Sequence, residues 1–77
     1  MDDTILSERI QVERKQFFLD LKENPRGRFL RITEDVKGRR DTIIIPATGL
    51  HLLRDALEKA ISENEANPYD GIPDIPD

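Results

Sequence analysis

The stretch FFLDLKENPRGRFLRI, residues 17–32, decides the fold. Its first half alternates cleanly: Phe17, Leu19 and Leu21 point one way, while Phe18, Asp20, Lys22 and Asn24 point the other, as in a strand with one buried face. Pro25-Arg26-Gly27 then breaks the pattern. Proline fixes its own φ, glycine can take φ > 0, and the trio predicts a turn. Beyond it the alternation resumes, with Leu30 and Ile32 on one side and Phe29, Arg31 and Thr33 on the other. Two antiparallel strands joined by a short turn follow.

Working outward, Arg9 to Val12 alternates as a further strand, and Glu13-Arg14-Lys15 interrupts it as a turn or sharp bend. Glu34 to Asp41, containing Gly38, reads as a charged loop, and Thr42 to Ile45 as a short β-branched strand that Pro46 stops. The period then changes. Leu50, Leu53, Leu57 and Ile61 recur at three-to-four spacing, with Leu52, Ala56 and Ala60 widening the stripe, so a helix of about four turns is predicted. Thr48 is positioned to cap it. The expected class is α+β, a four-stranded antiparallel sheet followed by one helix. Residues 1–7 are read as an N-terminal extension, 8–65 as the domain, and 66–77 as an acidic, Pro-rich disordered tail.

Composition narrows the function. The chain has 77 residues, no Cys and one His, so disulfides, thiolate metal sites and thiol nucleophiles are excluded, and His51 cannot build a metal site alone. No metal, cofactor or small-molecule substrate is implied. A core this small leaves apolar surface uncovered, and a second chain is the remaining source of burial. The acidic N-terminus has no signal-peptide pattern, and no apolar run reaches the roughly 18 residues of a membrane span, which predicts a soluble cytoplasmic protein without membrane contact.

The net charge of −4 hides an asymmetry. Residues 8–40 hold ten Lys/Arg against six Asp/Glu, whereas residues 41–77 hold two against eight. Local field, not total charge, is what a polyanion meets. Strand parity sends Phe18 and Phe29 to the polar side of the sheet, among Lys22, Asn24, Arg26 and Arg31. Exposed rings among cations suit single-stranded nucleic acid, whose phosphates pair with the bases' basic neighbours while the rings stack. Asn24 adds a donor and an acceptor for a base edge.

Other readings stand beside this one. A basic hairpin is equally an ordinary solvated one, and alternation slips at any bulge, which would bury Phe18 and Phe29. The same sheet could dock an acidic protein partner. A nuclease using Asp20, Glu23 and Asp35 is disfavoured, because parity puts Asp20 and Glu23 on opposite faces and no histidine supports them. No enzyme is expected. Lys37, Arg39 and Arg40 read as solvating charge that could lengthen a phosphate track.

FFLDLKENPRGRFLRI followed by TIIIPATGLHLLRDALEKAI resembles a PUR repeat of the Pur-alpha (purine-rich element binding) family, over roughly residues 8–65. It is closest to the repeat through which those proteins dimerise. The Lys-x-Asn-x-Arg-Gly-Arg-Phe turn and the Pro-Ala-x-Gly-Leu helix entry occur in order and at the family's distance. The resemblance implies a ββββα unit of Whirly-like type, intertwined with a second copy through the helices. It also implies binding of purine-rich single-stranded DNA and RNA and regulation of transcription or translation. The family's contacts carry over to Lys22, Asn24 and Arg26, its stacking aromatic to Phe29, and a further basic contact to Lys15. Leu50, Leu53, Leu57 and Ile61 become the expected homodimer interface. One repeat rather than several resembles the short bacterial members, Pro25 removes a backbone donor from the turn, and the tail has no counterpart in the family pattern.

Overall fold

The computed structural model describes residues 2–69 and residue 71. Four strands, β1 (Asp3–Val12), β2 (Lys15–Asn24), β3 (Gly27–Val36) and β4 (Arg39–Pro46), form one antiparallel sheet in chain order. A single 3₁₀ turn, Ala47–Gly49, leads into α1 (Leu50–Ala66). This is the predicted ββββα arrangement. The sequence-predicted tail lies outside the described residues at positions 70 and 72–77, and its first residue, Ala66, ends the helix.

Three local readings change. The first strand begins at Asp3 rather than Arg9, because a register shift between Thr4 and Leu6 breaks the alternation there. An extra residue in one strand flips parity on either side of it, so the pattern looks irregular although the pairing continues. The expected loop at 34–41 is instead a tight hairpin. Val36 pairs with Arg39 across Lys37 and Gly38, and the flanking charges lie on strand ends. Both turn residues have positive φ (54° and 85°), the signature of a type I′ turn whose twist matches the strands it joins. The helix is preceded by Gly49, and no side chain caps it, so Thr48 does not take the role its position suggested. The 3₁₀ turn that follows Pro46 carries the chain into the helix.

Residues directly opposite one another in an antiparallel pair share a face. Through the register, Leu6, Ile10, Phe17, Leu19, Leu21, Leu30, Ile32, Ile43 and Ile45 share one face, the apolar face. Arg9, Phe18, Asp20, Lys22, Asn24, Phe29, Arg31, Thr33, Thr42 and Arg40 share the other, the polar face.

No apolar side chain is buried among the described residues; the one buried residue is Thr33, at 7% exposure. The principal contacts of α1 are with the turn that leads into it, so its apolar stripe does not close over the sheet. Leu52, Leu57 and Ile61 stand exposed along it, and Leu6, Ile10 and Ile43 along the apolar face. The accessible surface is 6571 Å², whereas a compact chain of this mass exposes about 4,800 Å². The radius of gyration, 15.1 Å, likewise exceeds the roughly 11–12 Å of a compact chain of this length. No helix is long and apolar enough to cross a membrane among the described residues.

Glycine is required at 38 and free at 49. Gly38→Ala, at φ 85°, is expected to destabilise by about 1–2 kcal/mol in denaturant unfolding at fixed protein concentration. Gly49→Ala, at φ −97° with room for a Cβ 3.8 Å from the Ile45 side chain, should stay within about 1 kcal/mol of the parent.

Candidate nucleic-acid interface

Along the polar face the central two strands order the predicted residues. Asn24 lies opposite Gly27, Lys22 opposite Phe29, Asp20 opposite Arg31 and Phe18 opposite Thr33. The odd-even count from the sequence therefore brings Phe18, Lys22, Asn24, Phe29 and Arg31 to one side of the sheet. Phe29 is half-buried and not part of an apolar interior. Arg26 sits in the turn at the end of this row.

That end is held by Asn24. Its Oδ1 accepts the Arg26 backbone N–H at 2.9 Å, an Asx turn that orders the hairpin which Pro25 starts. Its Nδ2 donates to Asp2 Oδ1 at 3.0 Å. The acceptor predicted for a base edge is thus spent on the turn, and only the amide donor is exchangeable. Next to it, a shallow depression of about 200 Å³ is lined by Asn24, Arg26, Gly27, Phe29, Ile44 and Pro46. This lies below the roughly 300–1,000 Å³ of pockets for drug-sized ligands and suits a smaller group.

Carboxylates interleave the cations. Arg31 Nη2 lies 3.6 Å from Asp20 Oδ2, while Ser7 Oγ donates to Asp20 Oδ1 at 2.7 Å. The Arg31 Nε is buried without a hydrogen-bond partner. At the far end Arg40 Nε donates to Asp35 Oδ2 at 2.9 Å, and the guanidinium lies 5.2 Å from the Phe18 ring centroid. The Lys22 ammonium has no partner among the described residues.

The register does not bring Lys15 to this face. It lies on the apolar side, between Val12 and the β3 end, where its ammonium pairs with Glu34 Oε2 at 2.9 Å. Lys15 is two residues before Phe17 in β2, so strand parity sets it on the same side as Phe17, Leu19 and Leu21. Four polar-face residues escaped sequence reasoning. Arg9 lies opposite Phe18, and Arg40 reaches Phe18 from two strands away. Ile44, opposite Arg31, and Pro46, opposite Phe29, supply apolar floor beside the ring. Arg9 was within reach of its alternation, whereas Thr42 to Ile45 is apolar on both sides and conceals which isoleucines face which way.

The proposed nuclease carboxylates do not converge. Glu23 is on the apolar side, bonded to Arg28 at 2.8 Å, and Asp35 lies four register positions from Asp20 and holds Arg40. Among the described residues no cluster of His, Cys, Asp and Glu could hold a metal ion.

A sequence model of the PurA family, described as PurA ssDNA and RNA-binding protein, matches residues 1–76. The chain belongs to the PurA family. It is 42% identical over 64 residues to the transcription factor Pur-alpha 1 of Arabidopsis thaliana, covering 83% of this chain and 22% of that protein. It is 44% identical over 64 residues to the human transcriptional activator protein Pur-alpha, covering 74% of this chain and 20% of that protein. The chain spans about a fifth of the length of these relatives. For the PurA chain, the hairpin geometry gives a separable structural test of Asn24. Asn24→Ala should destabilise by about 0.5–1.5 kcal/mol through the lost turn bond, whereas Asp2→Ala, which leaves that bond in place, should retain most of the stability in the same unfolding measurement.

Proposed function

We propose that this chain works as a homodimer that binds single-stranded DNA or RNA, with preference for purine-rich strands, in the regulation of transcription or translation. The observation that carries the reading is the division of the sheet. One face gathers most of the aliphatic side chains, while Phe29 and Phe18 stand on the other, with Ile44, among Lys22, Arg31, Arg9 and Arg40. A ring placed there adds nothing to a core and offers a base a stacking surface. The family's description and the names of the regulatory relatives support the same reading.

In this reading Lys22, Arg26 and Arg31 pair with phosphates, Phe29 stacks a base beside the depression, and the Asn24 amide donates to a base or sugar in place of Asp2. A phosphate at Arg31 would compete with the 3.6 Å pairing of its Nη2 to Asp20, whose side chain is only 18% exposed. Lys15, on the other face, drops out of the contact set. A second reading, an acidic protein docked on the polar face, is favoured by the readiness with which Asp20 and Asp35 already fill its arginines. It leaves the outward rings without a role.

The second copy rests on area. Two chains merged into one compact body of twice the mass would expose about 8,000 Å², burying about 5,000 Å² that the separate chains expose. Obligate dimers bury about 2,000–5,000 Å². The α1 stripe of Leu50, Leu53, Leu57 and Ile61 and the apolar sheet face are the surfaces available for it. Each copy's helix would cover its partner's sheet and leave both polar faces outward.

Two outcomes test the reading. Phe29→Ala should weaken binding of a purine-rich single strand by about 1–3 kcal/mol with unchanged salt dependence, while Lys22→Ala should lower the salt slope by about 0.7. Wild-type binding by both variants in anisotropy titrations over a salt series would remove the polar face as the site. Separately, Leu57→Asp is expected to abolish the dimer and the fold together; a folded monomer in sedimentation and circular dichroism would contradict the second-copy argument.

A further inference from the structure

Arg40 is placed in a way that its own strand does not require. Its guanidinium lies over the Phe18 ring, 5.2 Å from the centroid, having crossed the strand between them. Its Nε donates to Asp35 Oδ2 at 2.9 Å, and Asp35 Oδ1 in turn accepts the Gly38 N–H at 3.0 Å. The β3–β4 turn therefore holds Asp35, Asp35 holds Nε of the guanidinium, and the guanidinium carbon lies over the Phe18 ring within cation–π reach. Thr33, beneath this layer in the register, is the buried residue of the sheet. The Arg40 side chain is nevertheless 61% exposed, so the outer side of the plane is open.

We propose that Arg40, stacked on Phe18 and pinned by Asp35, is a second base-stacking platform, and that Phe18 acts beneath it as a support rather than as a stacking surface itself. Planar guanidinium groups stack nucleobases as aromatic rings do, and a lysine at the same place supplies charge without a plane. Arg40 keeps unspent N–H donors for a neighbouring phosphate, and Arg9, opposite Phe18, brings a second cation to the same end. Phe29 lies four register positions away, roughly 13 Å along the strands. One single strand can thus engage both platforms only when it is long enough to span them. The inference deepens the nucleic-acid reading of the polar face and rests on it.

The test is Arg40→Lys in the full chain, with Phe29→Ala alongside, titrated by fluorescence anisotropy at fixed salt against homopurine oligodeoxynucleotides of about 4 and about 12 nucleotides. Sedimentation and circular dichroism monitor the assembly. Arg40→Lys is expected to weaken the longer strand by about five- to a hundredfold, the range of one lost stacked base, and the short strand by less than about twofold. Phe29→Ala is expected to weaken both. If Arg40→Lys binds the longer strand as the parent does while Phe29→Ala is impaired, the second platform is wrong and the polar-face reading survives. Equal weakening of both strands by Arg40→Lys also overturns the two-platform arrangement. If neither variant is impaired, both the platform and the reading beneath it fall.

Discussion

A sheet one layer thick has two faces and must hide one of them. In this chain most aliphatic residues of the four strands gather on a single side, Ile44 being an exception, and the helix that could have covered them packs instead against the turn before it. A chain of 77 residues is near the lower limit for a self-sufficient core, and leaving every apolar side chain among the described residues at least partly exposed gives little to offset the entropy of ordering its backbone. The demand for cover sets the rest. Whatever closes the apolar face leaves the other side as the working surface.

On that surface the cations are organised rather than merely numerous. Asp20 draws Arg31 down onto the sheet and Asp35 draws Arg40 across to Phe18, while Lys22 has no partner among the described residues. Carboxylates placed this way keep the free protein's arginines extended along the sheet, so less rotamer freedom remains to be lost when a polyanion arrives. They also offset part of the positive charge of this face, which limits indiscriminate attraction. On the proposed reading, selectivity for a single strand would depend on the rings and planes between the charges.

How much of this the sequence disclosed depends on where its alternation is clean. β2 and the first half of β3 carry an apolar residue at every second position, and the face of Phe18, Lys22, Phe29 and Arg31 could be counted off directly. The start of β1 could not, because the shift between Thr4 and Leu6 breaks the count. The end of β3 and start of β4 looked like a loop because charged cross-strand pairs such as Asp35 and Arg40 mimic solvated sequence. Lys15 comes from the resemblance alone, whereas its odd parity with Phe17, Leu19 and Leu21 in β2 sets it on the apolar side. The contact between Arg40 and Phe18 spans three strands diagonally. No pattern within one segment encodes it, and only the register of the assembled sheet does.

The two faces are not independent, because they share strands. Leu30 and Ile32 point to the apolar side and Phe29 and Arg31 to the polar side of β3, a strand with neighbours on both edges. Ordering one set of side chains therefore fixes the backbone that presents the other. If a second copy covers the apolar face, the position of the Phe29 ring and the spacing of its cationic neighbours depend on that association. A ligand that binds only the assembled form must, by mass action, stabilise the assembly in return. Two outward faces related by a two-fold axis would also raise the effective concentration of the second site once a strand has engaged the first. On the proposed reading, covering the hydrophobic side would be a condition for recognition as well as for folding, and a single linkage would connect protein concentration, fold stability and affinity for a single strand.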